Sequence, residues 1–86
     1  MDGRTNLFEV NEEKRKQVSS TIKEVYDALK ERGYNPINQL VGYMISGDPG
    51  YISGYKDCRN KILEFDRSEM ATIVMEDYIQ NIKWDV

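Results

Sequence analysis

The 86-residue chain carries 12 basic and 15 acidic side chains, a net charge of −3, one cysteine and no histidine. A chain of this length holds one domain with a small core, which dimerisation commonly supports. The acidic balance argues against nucleic acid, the absence of any apolar run near ~18 residues argues against a membrane span, and a lone Cys58 excludes an internal disulfide and fits the cytoplasm. Without histidine the commonest general base and metal ligand is missing, and no cofactor or metal set is expected.

Residues 1–10 show no sustained periodicity and are expected to form a flexible tail. Its start, Met1-Asp2-Gly3-Arg4, lacks the layout of a signal peptide, and its apolar residues are Leu7, Phe8 and Val10. Residues 11–86 read as a single helical domain. A first helix opens near Asn11-Glu12-Glu13, with acidic residues at the positive end of its dipole. Thr21 and Glu24 form a competing capping box. Its core face is Val18, Ile22, Val25, Tyr26 and Leu29, and Gly33 ends it.

The segment from Gly33 to Pro49 writes the second helix with its punctuation. Asn35 is an N-cap and Pro36 suits the first helical position. Ile37, Leu40, Val41, Met44 and Ile45 repeat at i, i+3, i+4, i+7 and i+8, which predicts one buried face. Gly47 suits a left-handed end and Pro49 blocks continuation. The two helices should form a hairpin or corner. Ser46–Tyr55 reads as a loop, with Tyr51 and Ile52 tucked into the core. A third helix starts near Asp57, with Cys58, Ile62 and Phe65 inward. A fourth, capped by Asp66 or Ser68, runs to about Lys83. Met70, Ile73, Val74, Tyr78 and Ile82 line one stripe, and Met75 and Ile79 lie on a neighbouring face. This apolar surplus reads as a dimer surface, and a wider core explains it nearly as well. The predicted fold is all-α: a compact bundle of four to five short helices.

Few residues invite a chemical role. The glycines of the 46–55 loop lack the lysine and spacing of a phosphate-binding loop. The many carboxylates have no converging pattern, and solvated helix faces suit them. Cys58 reads as a small buried hydrophobe, since a nucleophile needs a base. Lys56, Arg59, Lys61 and Arg67 fall within a short span, interleaved with Asp57, Glu64 and Asp66. They form either ordinary charge mixing or a protein-docking surface.

Val25-Tyr26-Asp27-Ala28-Leu29, followed by Gly33 through Pro49, carry a more specific message. They resemble the IreB/ReoM family of small bacterial regulatory phosphoproteins, and the likeness continues without a gap to about Tyr78. In that family a tail threonine three residues before a phenylalanine is phosphorylated by a membrane Ser/Thr kinase with extracellular PASTA repeats. Thr5-Asn6-Leu7-Phe8 matches it, which makes Thr5 the candidate phosphoacceptor. A second tail threonine found in some members is Asp2 here. The family's basic docking pattern falls on Arg59 and Arg67, with Lys56 nearby. Gly54 stands where the family usually has arginine, and Leu63 where a basic residue is frequent.

The resemblance implies a non-enzymatic cytoplasmic adaptor acting on cell-wall synthesis. Its unphosphorylated form would promote Clp-protease turnover of the UDP-N-acetylglucosamine enolpyruvyl transferase. A kinase and its cognate phosphatase would switch it, and the protein would be a homodimer. A helix-turn-helix nucleic-acid binder is the alternative, since two short helices meet at Gly33-Tyr34-Asn35. Ile37 to Ile45 carries no lysine or arginine, which weakens that alternative. A small hydrolase is weaker still for want of a histidine or a motif.

Overall fold

The computed structural model describes residues 10–83. They form an all-α fold of four helices: α1 (Glu12–Glu31), α2 (Pro36–Ser46), α3 (Cys58–Ile62) and α4 (Arg67–Asn81). Two 3-10 turns, Pro49–Tyr51 and Tyr55–Asp57, occupy the connection that the sequence leaves as a loop. The expectations for the tail, including Leu7, Phe8 and Thr5, fall outside the described residues.

α1 begins where its acidic first turn suggests. Asn11 caps it, its side chain accepting from the Lys14 amide at 2.7 Å, so the later capping box goes unused. The helix ends in a Schellman turn. Gly33, at φ +92°, donates to the Lys30 carbonyl, and Tyr34 donates to the Leu29 carbonyl, both at 3.0 Å. These bonds satisfy carbonyls that the helix end would otherwise leave open. α2 follows at once. The Asn35 side chain accepts from the Asn38 amide at 3.1 Å, Pro36 sits in the first turn, and Gly47 closes the helix at φ +76°.

The core gathers Val18, Val25 and Leu29 from α1, Leu40 and Tyr43 from α2, and Ile52 from the connection. Cys58 and Ile62 join from α3, and Met70 and Ile73 from α4. Each fully buried Leu or Ile side chain contributes about 1.5–3 kcal/mol of transfer free energy. Ile22 and Tyr26 are half-buried at the margin of this cluster. Phe65 packs against it from outside α3, beneath the Lys14 ammonium, which lies 5.5 Å from the ring centre.

α2 is rotated from the orientation its spacing predicts. Pro36, Leu40 and Tyr43 face inward, Leu40 being 9% exposed. Val41 is 45% exposed, Ile37 57% and Ile45 78%, so these three are corrected from core to surface. Tyr43 supplies the reason. Its large ring fills the core beside Leu40, and the Ile37–Val41–Ile45 row then points outward. Tyr51 is also corrected, at 52% exposed, while its neighbour Ile52 is fully buried.

α4 buries Met70 and Ile73 and leaves Val74, Met75, Tyr78 and Ile79 largely exposed. An Arg15–Glu76 ion pair ties it to α1. The two helices diverge around an apolar groove of about 510 Å³, walled by Ile22 and Tyr26 on one side and Ile73, Val74 and Tyr78 on the other. The sequence places its apolar surplus on this helix, and the surplus is largely exposed.

Candidate functional site

The basic residues singled out in the sequence lie around the connection between α2 and α4, and each is already engaged. Arg59, on α3, directs its Nε–H at two carbonyls, Pro49 at 3.2 Å and Ile52 at 2.9 Å. Arg67 opens α4, and its guanidinium donates to the Met44 carbonyl at 3.0 Å. That carbonyl belongs to the last turn of α2, the negative end of the helix dipole, where a cation is favourable. The Arg67 guanidinium also lies against Gly47, so close that a Cβ there would sit 2.8 Å from it.

Lys56 stands apart from the two arginines. Its ammonium pairs with Glu31 at 2.8 Å. The pairing hydrogen bond pulls the Glu31 carboxyl below its ordinary range and pushes the Lys56 ammonium up. The same ammonium lies 5.6 Å from the Tyr55 ring centre, and the Arg32 guanidinium lies 5.7 Å from it. Lys61 pairs with Glu24 at 2.9 Å. The cluster is therefore an ion-paired surface stitched to α1, with two arginines turned onto backbone.

Lys56 and Asp57 both adopt the left-handed conformation, at φ +50° and +64°. Lys56 is ill suited to this region and stores strain of order 1–3 kcal/mol, while aspartate tolerates it better. The Lys56–Glu31 pair and the Asn60-to-Asp57 side-chain bond at 2.9 Å hold the bend in place. The bend aims Cys58 into the core. Its Sγ is buried and lies 3.9 Å from the Val25 carbonyl, and burial pushes its thiol up. A thiol so disfavoured as thiolate is a packing residue.

The connection itself carries contacts that no local sequence signal announces. The Gln39 side chain accepts from the Ser53 amide at 2.9 Å. Asp48 caps the first 3-10 turn by accepting from the Gly50 amide at 2.8 Å. The Ser46 hydroxyl donates to the Gly42 carbonyl at 2.7 Å and accepts from the Asp48 amide at 3.0 Å. These bonds use its polar groups for closure. Among the described residues, no three His, Cys, Asp or Glu side chains converge as a metal site, and no helix is long and apolar enough to cross a membrane.

Among the described residues the surface thus shows an apolar groove between α1 and α4, an apolar row along α2, and an ion-paired corner at α3. The exposed face of α2 carries Ile37, Val41 and Ile45 and no cation, which is poor equipment for a DNA groove. The family model for the IreB regulatory phosphoprotein matches residues 3–80. The chain belongs to the IreB family. It is accordingly a regulatory phosphoprotein, and the matched span includes the Thr5–Phe8 segment, the first three helices and all of α4 but its last residue. In this IreB-family chain Arg59 and Arg67 both serve backbone carbonyls.

Proposed function

We propose that this IreB-family protein is a non-enzymatic, cytoplasmic adaptor in the control of peptidoglycan synthesis, switched by phosphorylation at Thr5. The kinase is of the PASTA-repeat Ser/Thr class, and a cognate phosphatase reverses the modification. Unphosphorylated protein promotes Clp-dependent turnover of the UDP-N-acetylglucosamine enolpyruvyl transferase, and phosphorylation relieves that restraint. The observation that carries this reading is the family match over residues 3–80, which takes in the tail threonine together with the folded body.

The physics of the switch is charge. A phosphate adds roughly −1.5 to −2 at neutral pH. On a chain of net charge −3 it strengthens repulsion from an acidic partner. Lys56, Arg59 and Arg67 remain the candidate partner-binding residues, and a partner would have to compete with Glu31 and with backbone carbonyls for their charge. The exposed α4 residues Val74, Met75, Tyr78 and Ile79 supply a homodimer surface.

The test is capture of the transferase and the Clp chaperone by tagged wild type, Thr5→Ala and Thr5→Glu. The adaptor reading expects capture by wild type and Thr5→Ala and weakened capture by Thr5→Glu. Equal capture by all three removes the switch.

A further inference from the structure

We infer that Arg59 is the latch that holds the Gly47–Ile52 segment closed over α2, as a hinged strap, with Arg67 bracing the end of α2 on which the strap is hinged. The strap is anchored at both ends by features of the fold. Gly47 turns at φ +76°, a conformation that costs glycine little. Ile52 is fully buried in the core. Between them, Asp48, Pro49, Gly50 and Tyr51 lie at the surface. Only Tyr51 supplies a large side chain there, and its ring lies across Gly42 on α2.

Outside help closes this segment. Its internal bonds, Tyr51 amide to Asp48 carbonyl at 3.1 Å and Ile52 amide to Pro49 carbonyl at 3.0 Å, shape the turn without fixing it to the body. Its ends are tied to α2 by the Gly47 amide on the Tyr43 carbonyl, the Asp48 amide on the Ser46 hydroxyl and, one residue beyond, the Ser53 amide on the Gln39 side chain, and its middle is tied by Arg59. Arg59 reaches from α3 to the Pro49 and Ile52 carbonyls, and Arg67 reaches from α4 to the Met44 carbonyl just before the hinge. Hydrogen bonds from a charged donor are worth about twice a neutral one. A planar guanidinium also fits a fixed pair of acceptors better than a flexible ammonium does. Neutralising Arg59 therefore frees the middle of the strap, at a point its own bonds do not hold, while the helices stay packed. The role assigned here is conformational, and it stands whether or not any partner reads the same arginines.

The test is solution NMR on the whole chain. In the native protein the Tyr51 ring should shift the Gly42 α-protons upfield. The Arg59 Nε–H should exchange with water several-fold more slowly than that of Arg32, which lies over the Tyr55 ring with no carbonyl acceptor among the described residues. In Arg59→Gln the Gly42 shift should fall by half or more. The Gly50 and Tyr51 amides should exchange about tenfold faster, with the far-ultraviolet circular dichroism of the helices retained. Gly42→Ala, which evicts the ring with both arginines intact, should leave the Arg59 Nε–H slow. An unchanged Gly42 shift in Arg59→Gln would overturn the latch. So would an Arg59 Nε–H exchanging as fast as that of Arg32, a measurement that needs no variant to fold.

Discussion

The ring of Tyr51 lies across Gly42, so near that a Cβ on Gly42 would sit 2.4 Å from a ring carbon. Glycine in mid-helix costs about 0.5–1 kcal/mol relative to alanine, and here it admits the aromatic ring against the helix backbone. Gly42→Ala should therefore expel the ring into solvent. The propensity gain opposes the lost contact, so the net stability change should stay within about 1 kcal/mol. The readout is the ring: the cross-relaxation between Tyr51 and residue 42 should vanish. Its persistence in the variant would refute this packing.

Leu40 and Val41 are neighbours with opposite fates. Leu40 is 9% exposed and Val41 is 45% exposed. Leu40→Ala should cost ~2–5 kcal/mol, as buried truncations do. Val41→Ala should stay within about 0.5 kcal/mol. Denaturant midpoints of the two variants test the rotation of α2 directly. Equal losses would restore the orientation that spacing alone suggests.

Cys58 should be silent toward thiol reagents in the native protein. Burial hides the sulfur and pushes its thiol up, which removes the reactive thiolate. Labelling with a disulfide reagent should proceed only at the rate of unfolding and become immediate in denaturant. Prompt native labelling at pH 7 would show that α3 opens.

The Glu31–Lys56 pair gives a pH dependence with a fixed sign. The hydrogen bond from Lys56 holds the folded Glu31 carboxyl below its ordinary value of 4.5. A carboxyl depressed in this way contributes stability that is fully present above 4.5. The contribution is lost as the pH falls through the lower, folded value. Both side chains are half-exposed, so the effect should be small and screened by salt. The melting temperature of Glu31→Gln should approach that of wild type as the pH is lowered from 6 to 3. A gap that widens on acidification would reverse the sign.

Much of the fold was legible because its signals are local. Asn11, Asn35, Pro36, Gly33 and Gly47 each act through bonds or dihedrals within a few residues, and the structure uses every one of them. The inward positions of α1 were legible for a related reason: that helix is polar on the opposite face, which leaves periodicity a single answer. α2 has apolar residues almost all round, namely Ile37, Leu40, Val41, Tyr43, Met44 and Ile45. Periodicity then cannot choose the buried side, and tertiary packing of Tyr43 chose it. The left-handed pair Lys56-Asp57 has no glycine to announce it. Arg59 and Arg67 find their carbonyls 7 to 23 residues away, beyond any motif. Thr5 was reached through family resemblance alone, and it lies outside the described residues.

Self-association is open to a direct check. The proposed dimer should sediment at twice the 10.1 kDa chain mass at micromolar concentration. Tyr78→Glu, on the exposed α4 face, should shift it toward monomer, while Ile45→Glu on α2 should not. A monomer at all concentrations would remove the dimer, and dissociation by Ile45→Glu alone would move it to the other helix.

The central claim is that Thr5 is the phosphoacceptor, and site mapping tests it most directly. The full-length chain is incubated with the kinase domain of a PASTA-type Ser/Thr kinase and digested, and phosphate is located by mass spectrometry. Ser19, Ser20 and Thr72 lie inside helices, where a kinase cannot extend the backbone without unfolding it. The account predicts phosphate at Thr5, abolished in Thr5→Ala, with the helical circular dichroism unchanged. Phosphate at Ser19, Ser20 or Ser53 with Thr5 unmodified would contradict it.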